Sequence, residues 1–141
     1  AMLREALAAK GVAGLELVER PGLATVSKTR ILSEAHQQLL RLDRDGDRAR
    51  YAAFEDDLLA RALPLVADAS AVVLADYEKG AITPKVARAL VAECRRLDVP
   101  CVIDPKKVDF APYAGAAVVT PNLLEAERTV GRPLADDEEA G

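Results

Sequence analysis

The switch of period between residues 71 and 131 is the feature that most narrows what this chain can fold into. Ala71-Val72-Val73-Leu74-Ala75 is a short β-branched run of the kind that forms a strand buried on both faces. Thr83-Pro84 follows as helix cap and first-turn proline, with Val86, Leu90, Cys94 and Leu97 recurring behind it at helical spacing. Cys101-Val102-Ile103 reads as the next strand and Ala116 to Thr120 as a third. Asn122 to Val130 reads as a helix that stops at Gly131, with Pro133 just beyond. Strand, helix, strand, linker, strand, helix at this spacing predicts parallel strands with covering helices, an α/β fold.

The half before residue 71 has a different texture. Met2 to Lys10 has helical spacing and stops at Gly11, Leu15 to Val18 reads as a short strand, and Pro21-Gly22 makes a turn. Ala24 to Ser33 is rich in Thr, Val and Ile and reads as a strand, with Gln37 to Asp43 as its partner in a hairpin. Tyr51 to Ala69 reads as a helix that Pro64 should kink or divide. At the far end, Asp136-Asp137-Glu138-Glu139 reads as the acidic first turn of a further helix.

Composition removes several function classes. A net charge of −4 argues against a broad phosphate-backbone surface, so no nucleic-acid partner is expected. No apolar run approaches the roughly 18 residues of a membrane span and no signal-peptide pattern opens the chain, so the expected setting is cytoplasmic. Cys94 and Cys101 are the only cysteines and His36 the only histidine, which supplies neither a zinc ligand set nor a disulfide framework. The eight glycines include no G-x-G, so neither a Walker loop nor a Rossmann fingerprint is present.

In open α/β sheets ligands bind beyond the carboxyl ends of the strands. Asp76-Tyr77-Glu78-Lys79-Gly80, Asp104-Pro105-Lys106-Lys107 and Thr120-Pro121-Asn122-Leu123-Leu124-Glu125 follow the three expected strands. Neighbouring strands would bring these carboxylates, amide and lysines to one rim, a mixture suited to a magnesium-bound polyphosphate. Taken singly the same residues have structural readings: Asn122 and Glu125 form an acceptable capping box, and Asp is common in turns. On the hairpin, alternation puts Lys28 and Arg30 on one face. Either an anion such as a substrate phosphate lies between them, or solvent or the carboxylate of Asp43 offsets their repulsion, and Arg41 could join either arrangement. His36 reads as a surface turn residue, and the two cysteines as buried packing residues.

The order Lys28-Thr29-Arg30, His36-Gln37-Gln38-Leu39-Leu40-Arg41-Leu42-Asp43, Asp76-Tyr77-x-Lys79-Gly80, Asp104-Pro105-Lys106 and Thr120-Pro121-Asn122-x-x-Glu125 resembles the ribokinase-like (PfkB) carbohydrate kinases. Within them it is most similar to the heptose 7-phosphate kinase domains of lipopolysaccharide precursor synthesis, over about Leu23 to Gly131.

The resemblance implies a ribokinase-like fold, mainly parallel sheet plus an antiparallel hairpin, and ATP-dependent transfer of a phosphoryl group to the anomeric oxygen of a heptose 7-phosphate. It implies ATP and Mg2+ as cofactors, with Asn122 and Glu125 placing the magnesium, through water, and the ATP phosphates. Asp104 and Lys106 would lie near the phosphates, Asp76 and Lys79 nearer the sugar. Lys28 and Arg30, by strand alternation, would grip the sugar phosphate. Lys107 departs from the family pattern, which has a glycine there. The family also has an upstream Gly-rich sugar-binding segment and a downstream Gly-Ala-Gly-Asp element carrying the general base, neither of which occurs in these 141 residues. Residues 1–141 are therefore expected to be the central portion of one kinase domain, inactive alone, with sugar phosphate and ATP as its partners and a homodimer as an assembly open to it. A non-catalytic binding module, a degenerate relative of the kinases, is the competing class, and a kinase for ribose or fructose phosphate a third.

Overall fold

The computed structural model describes residues 2–14 and 16–134. The order of elements is α1 (Met2–Ala8), β1 (Ser27–Leu32), β2 (Gln38–Arg44), α2 (Arg48–Ala52), α3 (Glu55–Ala62), β3 (Val72–Asp76), α4 (Pro84–Arg96), β4 (Cys101–Pro105), β5 (Val118–Val119) and α5 (Leu123–Val130). Short 3-10 turns occupy Leu63–Asp68 and Ala111–Tyr113. Strands β3, β4 and β5 pair in parallel in that order, while β1 and β2 form a separate antiparallel hairpin. Mixed α/β architecture with one parallel sheet and one hairpin is thus what the chain adopts.

The core lies between the sheet and α4. Thr83 accepts the Val86 amide at 3.1 Å, and Pro84, which has no N–H to lose, opens the helix. Val86, Leu90, Val91 and Cys94 then fall on one buried face against Leu74, Cys101 and Ile103. Each large aliphatic side chain buried there contributes about 1.5–3 kcal/mol. Both cysteines are free and buried, and burial, followed by the neighbouring Cys94, pushes the Cys101 thiol up to about 11.

Several expected elements differ. Residues 16–18 form no strand, and Leu15 lies outside the described residues, as do Asp136 to Glu139. Strand β1 begins only at Ser27. The single long helix expected from Tyr51 is three pieces: Asp47 caps α2 early by accepting the Ala49 amide, the chain turns at Ala53-Phe54, and Pro64 sits in the 3-10 turn. Strand β3 is buried on one face rather than two, because α4 covers Leu74 while Val73 on the other side stays 65 % exposed. The third strand shrinks to Val118–Val119.

Gly80 fixes how the loop after β3 meets α2. Its φ is +96°, and a Cβ there would lie 2.6 Å from the Arg48 carbonyl oxygen and 3.1 Å from the Tyr51 Cβ. Gly80→Ala therefore combines a disfavoured backbone conformation with a clash against main chain. A loss of about 2–3 kcal/mol is expected in urea denaturation.

Candidate functional site

Parallel pairing aligns the carboxyl ends of β3, β4 and β5, so the segments that follow them share one edge of the sheet. Lys106 is the hub there. Its Nζ lies 2.8 Å from Glu125 Oε1, 3.9 Å from Asp104 Oδ1 and 5.8 Å from the centroid of the Tyr77 ring. The hydrogen bond to Glu125 is the first cause holding the Lys106 ammonium above its ordinary value. Burial would push Glu125 up, but the bonds from Lys106 and the Asn122 amide outweigh it and keep the carboxyl below the usual range.

Asn122 and Glu125 form a complete capping box. The Glu125 amide donates to Asn122 Oδ1 and the Asn122 amide to Glu125 Oε2, both at 2.9 Å. This starts α5 at the rim with its amide end, the positive pole of the helix, beside Lys106. Asp104, Lys106, Asn122 and Glu125, four of the expected site residues, are thus brought together.

Asp76 stands apart from these four. Its carboxylate is 1 % exposed and engaged by protein groups. Oδ2 accepts from Tyr113 Oη at 2.6 Å and pairs with Lys107 Nζ at 2.7 Å, while Oδ1 accepts from the Glu78 amide at 2.9 Å. Burial first, then the bond to Asp76, pushes the Tyr113 phenol up. Lys107 also donates to the Ile82 carbonyl at 2.8 Å. The amino-acid order gives little sign of Tyr113 or Tyr77 as site residues. Tyr113 lies in a stretch with no periodicity, and Tyr77 was visible only as part of the Asp-Tyr-x-Lys-Gly run.

Lys79 leaves the rim altogether and pairs with Asp45 at 2.6 Å, just beyond β2. That bond is the largest cause of the lowered Asp45 carboxyl. Lys79 also lines a cavity of about 590 Å³ with Thr25, Val26, Tyr51, Phe54 and Arg20 at the root of the hairpin.

On the hairpin itself, Lys28 stands opposite Asp43 and Arg30 opposite Arg41, all on one face. Asp43 lies 2.9 Å from Arg41 and 3.8 Å from Lys28, so it offsets part of the charge, as the carboxylate alternative required. Lys28 and Arg41 share this one carboxylate, and Arg30 has no ion-pair partner among the described residues. The opposite face carries Ile31, Leu40 and Leu42, all exposed.

No protein-family model matches the chain. Among curated proteins it is 46 % identical over 119 residues to the bifunctional protein HldE of Alkalilimnicola ehrlichii, covering 84 % of this chain and 24 % of that protein. It is 41 % identical over 139 residues to HldE of Citrifermentans bemidjiense, covering 98 % of this chain and 28 % of the relative. The chain is homologous to a segment of the HldE proteins. HldE of Geobacter sulfurreducens gives the same picture, 37 % identity over 138 residues, with 97 % and 28 % covered. The chain spans about a quarter of the length of these HldE relatives. The aligned stretch reaches far enough in each case to take in most of the sheet and the hairpin together.

Among the described residues no group of three or more His, Cys, Asp and Glu side chains could hold a metal directly, and no helix is long and apolar enough to cross a membrane. Both Glu125 oxygens already have protein partners, Lys106 Nζ on Oε1 and the Asn122 amide on Oε2.

Proposed function

We propose that this segment is the central part of an ATP-dependent sugar kinase that phosphorylates the anomeric hydroxyl of a heptose 7-phosphate in the cytoplasm, on a ribokinase-like fold. The convergence of Lys106, Asp104 and the capped N-terminus of α5 on one sheet edge carries the reading. It offers an ammonium with donors to spare and a helix amide end to a polyphosphate, the electrostatic requirement of phosphoryl transfer. When bound, Mg2+ would offset charge on the ATP phosphates, with Asn122 and Glu125 orienting its water shell. Lys106 holds a phosphate oxygen, and Glu125 holds Lys106 in place and charged.

The sugar phosphate is assigned to the cationic hairpin face. Opposed arginines repel across a strand pair, so the Arg30 and Arg41 pairing favours an anion between them. The cavity at the hairpin root, with Lys79 on its wall, gives the sugar its space. Neither Asp104 nor Glu125 is arranged as a general base, since both carboxylates face Lys106. The base is assigned to another part of the full-length polypeptide. The apolar hairpin face of Ile31, Leu40 and Leu42 supports a homodimer as the assembly.

The full-length protein, given ATP and a panel of heptose, fructose and ribose phosphates, should phosphorylate the heptose 7-phosphate in preference. Transfer to none of them would leave a binding module as the function, and preference for fructose or ribose phosphate would change the substrate. Within an active enzyme, Lys28→Ala should raise KM for the sugar phosphate about tenfold and leave KM for ATP unchanged. Equal rises in both would remove Lys28 from the sugar-phosphate grip.

A further inference from the structure

The loop from Tyr77 to Ile82 has an unusual backbone and an unusual fastening. Glu78 has φ of 55° and Gly80 φ of 96°, so two of the three residues 78–80 sit at positive φ. A non-glycine residue persists there only when its surroundings over-determine it. Glu78 is fixed by the hydrogen bond its backbone N–H donates to Asp76 Oδ1. The two ends of the loop are then tied by a single group: Lys107 Nζ reaches Asp76 at one end, 2.7 Å away, and the Ile82 carbonyl at the other, 2.8 Å away. The Lys107 side chain is three-quarters buried, so these bonds are shielded from solvent competition.

What the loop carries is the Tyr77 ring, whose face stands beside the Lys106 ammonium. Lys107 itself makes no hydrogen bond or ion pair with Asp104, Lys106, Asn122 or Glu125 among the described residues. We propose that Lys107 is a positioning residue for the phosphate-facing rim: by bonding Asp76 and the Ile82 carbonyl at once it closes the 77–82 loop and holds Tyr77 against Lys106. A glycine or any short side chain at 107 could not span the two ends. The inference rests on the kinase reading for its functional half and on geometry alone for its structural half.

The test uses the full-length protein with Lys107→Met, which keeps the length of the side chain and removes the donors, and Lys107→Arg, which restores charge and reach. Lys107→Gln, able to satisfy only one of the two acceptors, replaces the methionine variant should that one not fold. Amide hydrogen exchange over residues 77–82 and separate KM values for ATP and for the sugar phosphate are the readouts. Expected are faster exchange in that loop and a KM for ATP raised about tenfold in Lys107→Met, with the sugar-phosphate KM nearly unchanged and both effects reversed by arginine. Unchanged exchange would overturn the proposal outright. Faster exchange with an unchanged KM for ATP would overturn the positioning role and leave a structural staple. Should the wild-type protein itself transfer no phosphoryl group, the kinase reading falls and with it the positioning role, while the exchange data still decide whether Lys107 closes the loop.

Discussion

Asp76→Ala is expected to destabilise the full-length protein by about 3 kcal/mol in urea denaturation, one of the two largest effects of any single substitution in the site. The reason is the number of groups it leaves without a partner. Tyr113, 2 % exposed, keeps a buried hydroxyl with nothing to donate to; the Glu78 amide loses the acceptor that stabilises its left-handed backbone; Lys107 keeps only the Ile82 carbonyl. Lys107 is a quarter exposed and can recover some solvation, which holds the cost below that of a fully sealed ion pair. Tyr113→Phe removes one bond and leaves the carboxylate two donors, so it should cost about 1 kcal/mol. If Asp76→Ala cost no more than Tyr113→Phe, the carboxylate would not be the centre of the network.

The second large effect falls on rate. Glu125→Gln in the full-length enzyme is expected to lower kcat for phosphoryl transfer about a hundredfold or more while changing stability by less than 1 kcal/mol. Glutamine serves in a capping box as well as glutamate does, so α5 keeps its start at Asn122. What is lost is the charge that holds Lys106 in place. Asn122→Ala, by contrast, removes the cap itself and should cost about 1 kcal/mol of stability along with the rate. A wild-type rate in Glu125→Gln would reduce the box to a helix cap and take the phosphate site away from it.

These contrasts show why some of the site could be read from the amino-acid order and some could not. The capping box is local, four residues from end to end, and the β-branched runs at 72–76 and 101–103 announce strands whose ends must then lie together. The hairpin shows itself through alternation. The Asp76, Tyr113 and Lys107 network joins residues up to 37 apart through a segment without any period, and Lys107 stands out there only as a departure from the family pattern. Lys79 falls under the same limit, since its partner Asp45 lies 34 residues away and is reached only after α2 has folded back under Gly80. The single-sided burial of β3 was equally hidden, because β-branched content signals a strand and says nothing of what covers each face.

The strand order of the parallel sheet has a consequence for how the site comes into being. Among the described residues β3, β4 and β5 stand in the order in which they are synthesised, so none of the three has to be inserted between the other two. On a ribosome adding roughly 5–20 residues each second, β3 and α4 emerge first and β5 last. Only when β5, a strand of two residues, has docked on β4 does α5 arrive beside Lys106. Among these three strands the rim is therefore assembled last, and the shortest of them is the step on which its assembly depends.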